Sequence, residues 1–232
     1  MEVINRPDYT EKVKKLFGKG FIIALTGQRR VGKSFIMRQV IKELSQDSAA
    51  HVIYIDKDNE EFSFVQSHEE LTKYVKSNLL SNKRNYLFVD EIQNIKEFEV
   101  SLRSFHTNDE CEMVITGSNA KMLSSELSTY LSGRCVEYHI QSLDYREFLT
   151  FHRLSDNNQS LHSYLKYGGL PQLHRIGLEE TELVDDYLKS VYHTIVLKDV
   201  IEREEIRNVP LLKNLIRFVG DNVGKVFSAS SI

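Results

Sequence analysis

Tryptophan is absent, cysteine and proline are scarce at 2 and 3 residues, and neither sign of charge dominates. Each shortage excludes something. Cys111 and Cys135 lie far apart and outside any Cys-x-x-Cys pattern, which excludes a disulfide scaffold and gives no support to a zinc site, so two reduced, half-buried thiols are expected. With 30 basic and 33 acidic residues the net charge is −3, which argues against a broad phosphate-binding surface for nucleic acid. No apolar run approaches membrane-spanning length, and the opening MEVINRPDYTEKVKKLF lacks the apolar core of a signal peptide. A soluble, cytoplasmic chain with no membrane partner is expected. There is no internal repeat and no low-complexity tract. What remains is 41% hydrophobic and 10% aromatic over 232 residues, enough to pack one large domain or one and a half.

The chain is organised around Phe21 to Arg38, FIIALTGQRRVGKSFIMR. Phe21-Ile22-Ile23-Ala24-Leu25 is a short apolar run of strand length, rich in β-branched residues. Gly27-Gln28-Arg29-Arg30-Val31-Gly32-Lys33-Ser34 then matches, at every fixed position, the phosphate-loop pattern GxxxxGK followed by Ser or Thr. A helical pattern follows, with Phe35, Ile36, Val40 and Ile41 on one apolar face. Gly27 and Gly32 permit backbone angles that turn successive N–H groups toward an anion, and the helix beginning near Lys33 aims its positive end at the same place. Lys33 is expected to reach the β- and γ-phosphates of a nucleotide, and the Ser34 hydroxyl to bind Mg²⁺. The whole run from Gly27 to Phe35 is therefore a candidate nucleotide-binding segment. Arg6, Pro7 and Tyr9 sit just upstream, where an adenine ring is often covered, or they simply pack there.

Tyr86-Leu87-Phe88-Val89-Asp90-Glu91 is the second landmark: four hydrophobic residues, then two acids. It reads as a buried strand delivering carboxylates at its C-terminal end, the edge where open parallel sheets bind ligands. Asp90 is the candidate Mg²⁺ ligand and Glu91 the candidate general base for water; the alternative for Glu91 is a surface acid at a strand end. Two further strands, His51 to Asp56 and Cys111 to Thr116, and a last one, Cys135 to Ile140, complete five. The fourth ends in Gly117-Ser118-Asn119, where Ser118 or Asn119 lies beside the γ-phosphate if that strand neighbours the phosphate-loop strand, or forms a turn and helix cap if not. Helices are expected over Asp8 to Phe17, from the capping box Ser67-His68-Glu69-Glu70 to about Leu80, over Asn94 to His106, over Ala120 to Leu131, and from Leu143 to about Leu149. Strands alternating with helices predict an α/β fold, a parallel sheet covered on both faces.

Strand signals stop after Phe151. Gln159 to Tyr167, Glu179 to about Glu204 and Pro210 to Val219 read as helices, with a sharp break at Gly168-Gly169-Leu170-Pro171. The expected organisation is a phosphate-loop core over 1–150, a helical lid over 151–208, and over 209–232 the start of a further segment, since Gly224 to Ile232 reads like a loop about to cap another helix.

Together these motifs resemble those of a prokaryotic AAA+ ATPase, in a group marked by Gly27 to Ser34, Asp90-Glu91-Ile92-Gln93, Ile115 to Ser118, Ser132-Gly133-Arg134, Tyr167 to Pro171 and the stretch from Tyr192 to Arg207. The resemblance covers nearly the whole chain. It implies a five-stranded core with the phosphate-loop strand central and the fourth strand between it and the Asp90 strand. It also implies ATP and Mg²⁺ as cofactors, and Ser118 or Asn119 as a sensor. Arg134 becomes a candidate arginine finger acting on a neighbouring subunit, which calls for a homo-oligomer; the alternative is an ordinary salt bridge. Members of the group usually continue into a winged helix and a further domain, so nucleic acid, which this chain does not itself indicate, enters only through those C-terminal parts.

Three functions compete. One is ATP hydrolysis coupled to movement of the lid, which Glu91 favours. The second is a nucleotide-dependent switch with little turnover. The third, a small-molecule kinase, calls for arginines over the phosphates, whereas the helices after the sheet carry mixed charge and apolar faces.

Overall fold

A computed structural model describes residues 4–117, 131, 133–195 and 208–226. The chain divides into two compact units, one to His174 and one from Arg175. The first carries the strands, β1 (Ile22–Thr26), β2 (Ala50–Asp56), β3 (Arg84–Asp90), β4 (Glu112–Gly117) and β5 (Cys135–His139). They form one five-stranded sheet in the order β2-β3-β4-β1-β5, every pair parallel. The fold is the α/β arrangement expected, and β4 does separate β1 from β3. The phosphate-loop strand is internal but not central; β4 holds the middle and β1 lies next to the edge strand β5.

Parallel strands need crossovers, and the connections bring helices to both faces of the sheet. Alternate residues of β1 go to opposite sides. Ile22 and Ala24 join a cluster with Leu71 and Val75 of α3 (His68–Asn78) and Phe98, Leu102 and Phe105 of α4 (Phe98–Thr107). Ile23 and Leu25 join Val13 of α1 (Pro7–Lys14) and Ile36, Met37 and Val40 of α2 (Lys33–Leu44). Ile22 through Leu25 have no exposed surface, which is why β1 reads as an unbroken apolar run rather than an alternating one. Met37, not Phe35, fills the buried face of α2; Phe35 is 41% exposed.

Pro7 occupies the first turn of α1, as suits a residue without a backbone donor. Ser67 and Glu70 form the expected capping box of α3. The helix expected from Asn94 begins instead at Phe98, because Ile92–Asn94 forms a short 3₁₀ turn and Glu97 takes a left-handed conformation just before α4. After β5 come α5 (Tyr145–His152), capped by Asp144 and Glu147, and α6 (Asn158–Tyr167). The segment expected as a helix over Ala120 to Leu131 falls outside the described residues, Leu131 excepted.

The second unit contains α7 (Thr181–Tyr192) and α8 (Val209–Asp221). Asn208 caps α8 through its side chain, which accepts from the Leu211 amide at 3.1 Å. The last part of the long helix expected from Glu179 to about Glu204 lies outside the described residues, which omit 196–207 and the tail at 227–232. No helix among the described residues is long and apolar enough to cross a membrane.

Candidate active site

Because all five strands run the same way, their C-terminal ends share one edge. Registers align Thr26 with Gly117, Val89 with Ile115, and Asp56 with Asp90. The loop after β1, the acids after β3 and the end of β4 therefore meet. Ser118 and Asn119 follow Gly117 directly but lie outside the described residues.

The loop from Gly27 to Gly32 has the backbone an anion cradle needs. Gly27 (φ 134°), Arg30 (φ 69°) and Gly32 (φ 102°) all take positive φ, and alternation between such residues and ordinary ones turns N–H groups inward. At Gly27 a second constraint applies: a Cβ would fall 2.2 Å from the Ile140 carbonyl oxygen. Gln28, Arg29 and Arg30 are exposed at the rim, Val31 is buried, and Gly32 precedes the first turn of α2.

Lys33 is 4% exposed, and its Nζ donates to the carbonyls of Gly27 (2.9 Å) and Gln28 (3.1 Å). Burial draws its ammonium below the usual lysine range, and the Glu91 and Asp90 carboxylates offset part of that effect. Asp90 is 2% exposed. Burial pushes its carboxyl above the usual aspartate range, while hydrogen bonds from the Thr116 and Ser34 hydroxyls pull it back. So Ser34 and Asp90, read from separate motifs, lie close enough to interact. Their hard oxygen donors fit Mg²⁺, which is usually held by one or two carboxylates together with waters and phosphate oxygens. No cluster of three or more His, Cys, Asp or Glu suited to a metal occurs among the described residues, and Mg²⁺ with a nucleotide does not call for one.

Glu91 adopts left-handed backbone angles, φ 54° and ψ 53°, a conformation uncommon for a residue with a side chain and held only where the surroundings enforce it. Here its amide donates to Thr116 Oγ1 at 2.9 Å, its carboxylate accepts from the Gln93 side-chain amide, and Ile92 is fully buried just beyond. Thr116 Oγ1 in turn donates to Asp90. One hydroxyl thus joins the metal-ligand candidate to the base candidate.

Arg6 is 4% exposed and lies behind the loop. It forms a forked pair with Glu147 (2.7 and 2.8 Å) and donates to the carbonyls of Val31 (3.1 Å) and Gln141 (3.0 Å). Its guanidinium also stacks 4.6 Å from the Tyr9 ring. Pro7 is exposed. Arg134 is exposed and precedes β5, at the sheet edge opposite the loop, on the order of 15 Å away for a five-residue strand. It lines an open cleft of about 440 Å³ with Val100, Arg103, Ser104, Thr107 and Asn108. It therefore does not join the loop within one chain. Cys111 and Cys135 are free thiols, both pushed up to about 12 by burial, and so poor nucleophiles.

Four contributors were not singled out from sequence: Thr116, Gln93, Glu147 and Gln141. Thr116 and Gln93 lie inside stretches with their own signals, a strand end and the run after Asp90-Glu91. Glu147 is 141 residues from Arg6, and no local pattern reports such a pairing.

Residues 19–149 match a family model described as an AAA domain, and residues 158–232 match a domain of unknown function. An uncharacterised protein of Haemophilus influenzae is 31% identical over 239 residues, covering 99% of this chain and 58% of that protein. Another, from Methanocaldococcus jannaschii, is 30% identical over 207 residues, covering 84% of this chain and 45% of its own length. The chain thus spans about half the length of these relatives. Among solved structures, the S. cerevisiae Hsp104–ADP complex aligns with a TM-score of 0.55 at 17% identity, over 88% of this chain and 32% of that one. The S. cerevisiae Hsp104–casein complex in its extended conformation aligns at 0.54 and 15%, over 91% and 43%. These two likenesses show the fold. The chain belongs to the AAA domain family, and its core is a nucleotide-binding fold of the AAA+ type.

Proposed function

We propose that this AAA-family chain hydrolyses ATP with Mg²⁺ and uses the turnover to move its helical second half. The observation that carries the reading is the Thr116 hydroxyl bridging Asp90 and Glu91 beside Lys33. That arrangement supports a division of labour between two adjacent acids. Ser34 and Asp90 are the residues to hold Mg²⁺, which when bound supplies positive charge to the phosphate oxygens. The backbone amides of Gly27 to Ser34 bind the phosphates, and the rim residues Gln28, Arg29, Arg30 and Phe35 border them. Lys33 stabilises charge on the transferring phosphoryl group. Glu91 orients the attacking water and takes its proton. Ser118 or Asn119 contacts the γ-phosphate from the end of β4.

Arg134 lies at the end of β5 opposite its own site, which favours charge stabilisation in a neighbouring copy, with full activity in a homo-oligomer. Residues 151–208 serve as the lid and 209–232 begin a further segment.

The experiment is steady-state ATP turnover across protein concentration, with binding measured in parallel, for wild type and Glu91→Gln. A positioned base contributes about 10²- to 10⁴-fold. The expected result is a variant that binds ATP and turns over at least about a hundredfold more slowly. Binding without turnover in both proteins makes the chain a nucleotide switch instead.

A further inference from the structure

Four hydrogen bonds from one buried guanidinium converge behind the phosphate loop. Arg6 gives Nε and Nη2 to the two oxygens of Glu147, and both Nη1 bonds to the carbonyls of Val31 and Gln141. Residues 4–6 are themselves fixed to α2: the Arg6 amide donates to Gln39 Oε1 (3.4 Å), and Gln39 Nε2 donates to the Ile4 carbonyl (3.0 Å). Glu147 is held from the other side, because its Oε2 accepts from the Asp144 amide (3.1 Å) in the α5 capping box. The guanidinium thus ties three separate pieces of chain together: the lead-in to α1, the loop itself and the connection from β5 into α5.

The contact with Val31 has a directional consequence. A trans peptide is planar, so its C=O and the following N–H point in opposite directions. Holding the Val31 carbonyl against Arg6 fixes the Val31–Gly32 peptide and turns the Gly32 N–H away from Arg6. Gly32, with φ 102°, has no side chain to resist rotation of that peptide, so an outside tether decides its orientation.

We propose that Arg6 and Glu147 form a positioning clasp that presets the Gly32 amide for a phosphate oxygen. Arg6 touches neither substrate nor metal; it acts through the Val31–Gly32 peptide. The proposal rests on the reading of Gly27 to Ser34 as a phosphate-binding loop. It differs from a role for Arg6 and Tyr9 against the base, because a clasp serves any polyphosphate whether or not adenosine is attached.

The test compares Mg²⁺–ATP with inorganic tripolyphosphate. Arg6→Met/Glu147→Gln removes both charges together, so neither is left buried alone, and glutamine retains the capping box. Its melting temperature should fall, because the Val31 and Gln141 carbonyls lose their donor, so binding is measured well below that temperature, where affinity for both ligands should fall alike by about tenfold, the worth of a charge-assisted hydrogen bond. Arg6→Lys, which keeps the charge without the fork, should lose affinity for both ligands in the same proportion, and it decides the matter if the double variant does not fold. Unchanged affinities overturn the clasp. Loss of ATP affinity with tripolyphosphate unaffected also overturns it, in favour of base contact. Wild type binding neither ligand refutes the phosphate-loop reading, and the clasp with it, and is recognised because it precedes any substitution.

Discussion

At Thr116 one oxygen both donates to Asp90 and accepts from the Glu91 amide. Thr116→Val keeps the shape and removes both bonds, taking a donor from the buried Asp90 carboxylate and an acceptor from the half-buried Glu91 amide. Stability should fall by about 1–3 kcal/mol, read by urea denaturation, and turnover should fall more than ATP affinity does. Asp90 itself gives a prediction in pH. Its carboxyl is raised by burial, so the native state holds that proton more tightly than the unfolded chain. Its contribution to stability is fully present below the ordinary aspartate value of about 3.9 and is lost as pH rises through the raised one. Asp90→Asn carries no such dependence, so without Mg²⁺ or nucleotide it should gain on wild type as pH rises above the ordinary aspartate value in paired denaturation curves. Lys33, Ser34, Asp90 and Glu91 were legible because their chemistry is written in contiguous residues at fixed spacing. Thr116 was passed over because a threonine ending a strand is ordinary until the neighbouring strand is known.

Between residue and molecule stand the elements, where strands were more legible than helix starts. β1, β3 and β4 are buried on both faces and announce themselves as apolar runs. The start of α4 shifted by four residues because a left-handed Glu97, a backbone choice made by tertiary packing, precedes it. The start of α5 was expected at Leu143, although Asp144 and Glu147 have the same capping spacing as Ser67 and Glu70. The break at Gly168-Gly169-Leu170-Pro171 was visible, its cause was not. The Leu143 amide donates to the Gly169 carbonyl at 2.7 Å, and a Cβ on Gly169 would lie 2.1 Å from the Leu143 carbonyl oxygen. Since that obstacle is backbone, Gly169→Ala should cost about 1–3 kcal/mol, measurable by thermal or chemical denaturation.

For the whole molecule, the alternation of strands and helices was enough for an α/β class, but not for the position of β1. Strand order arises from crossovers that no local stretch records, and the expectation of a central β1 failed for that reason. The prediction at this scale concerns assembly. Lys33→Ala and Arg134→Ala should each be nearly inactive alone. Mixed in equal amounts they should recover about a quarter of wild-type turnover, the chance that an intact Lys33 faces an intact Arg134 across a head-to-tail contact. Turnover per subunit should also rise with protein concentration, and no recovery on mixing refutes action between copies. The placement of β1 carries one more consequence, in the language of amide exchange. Its residues Ile22 to Thr26 have no exposed surface and neighbours on both sides, so their protons should exchange only when the whole first unit opens. β5, an edge strand with Glu137 and His139 exposed, should exchange by local fraying. The loop proposed to grip phosphate is thus mounted on a slow-exchanging internal strand, and Arg134, proposed to serve a neighbour, borders a fraying edge strand.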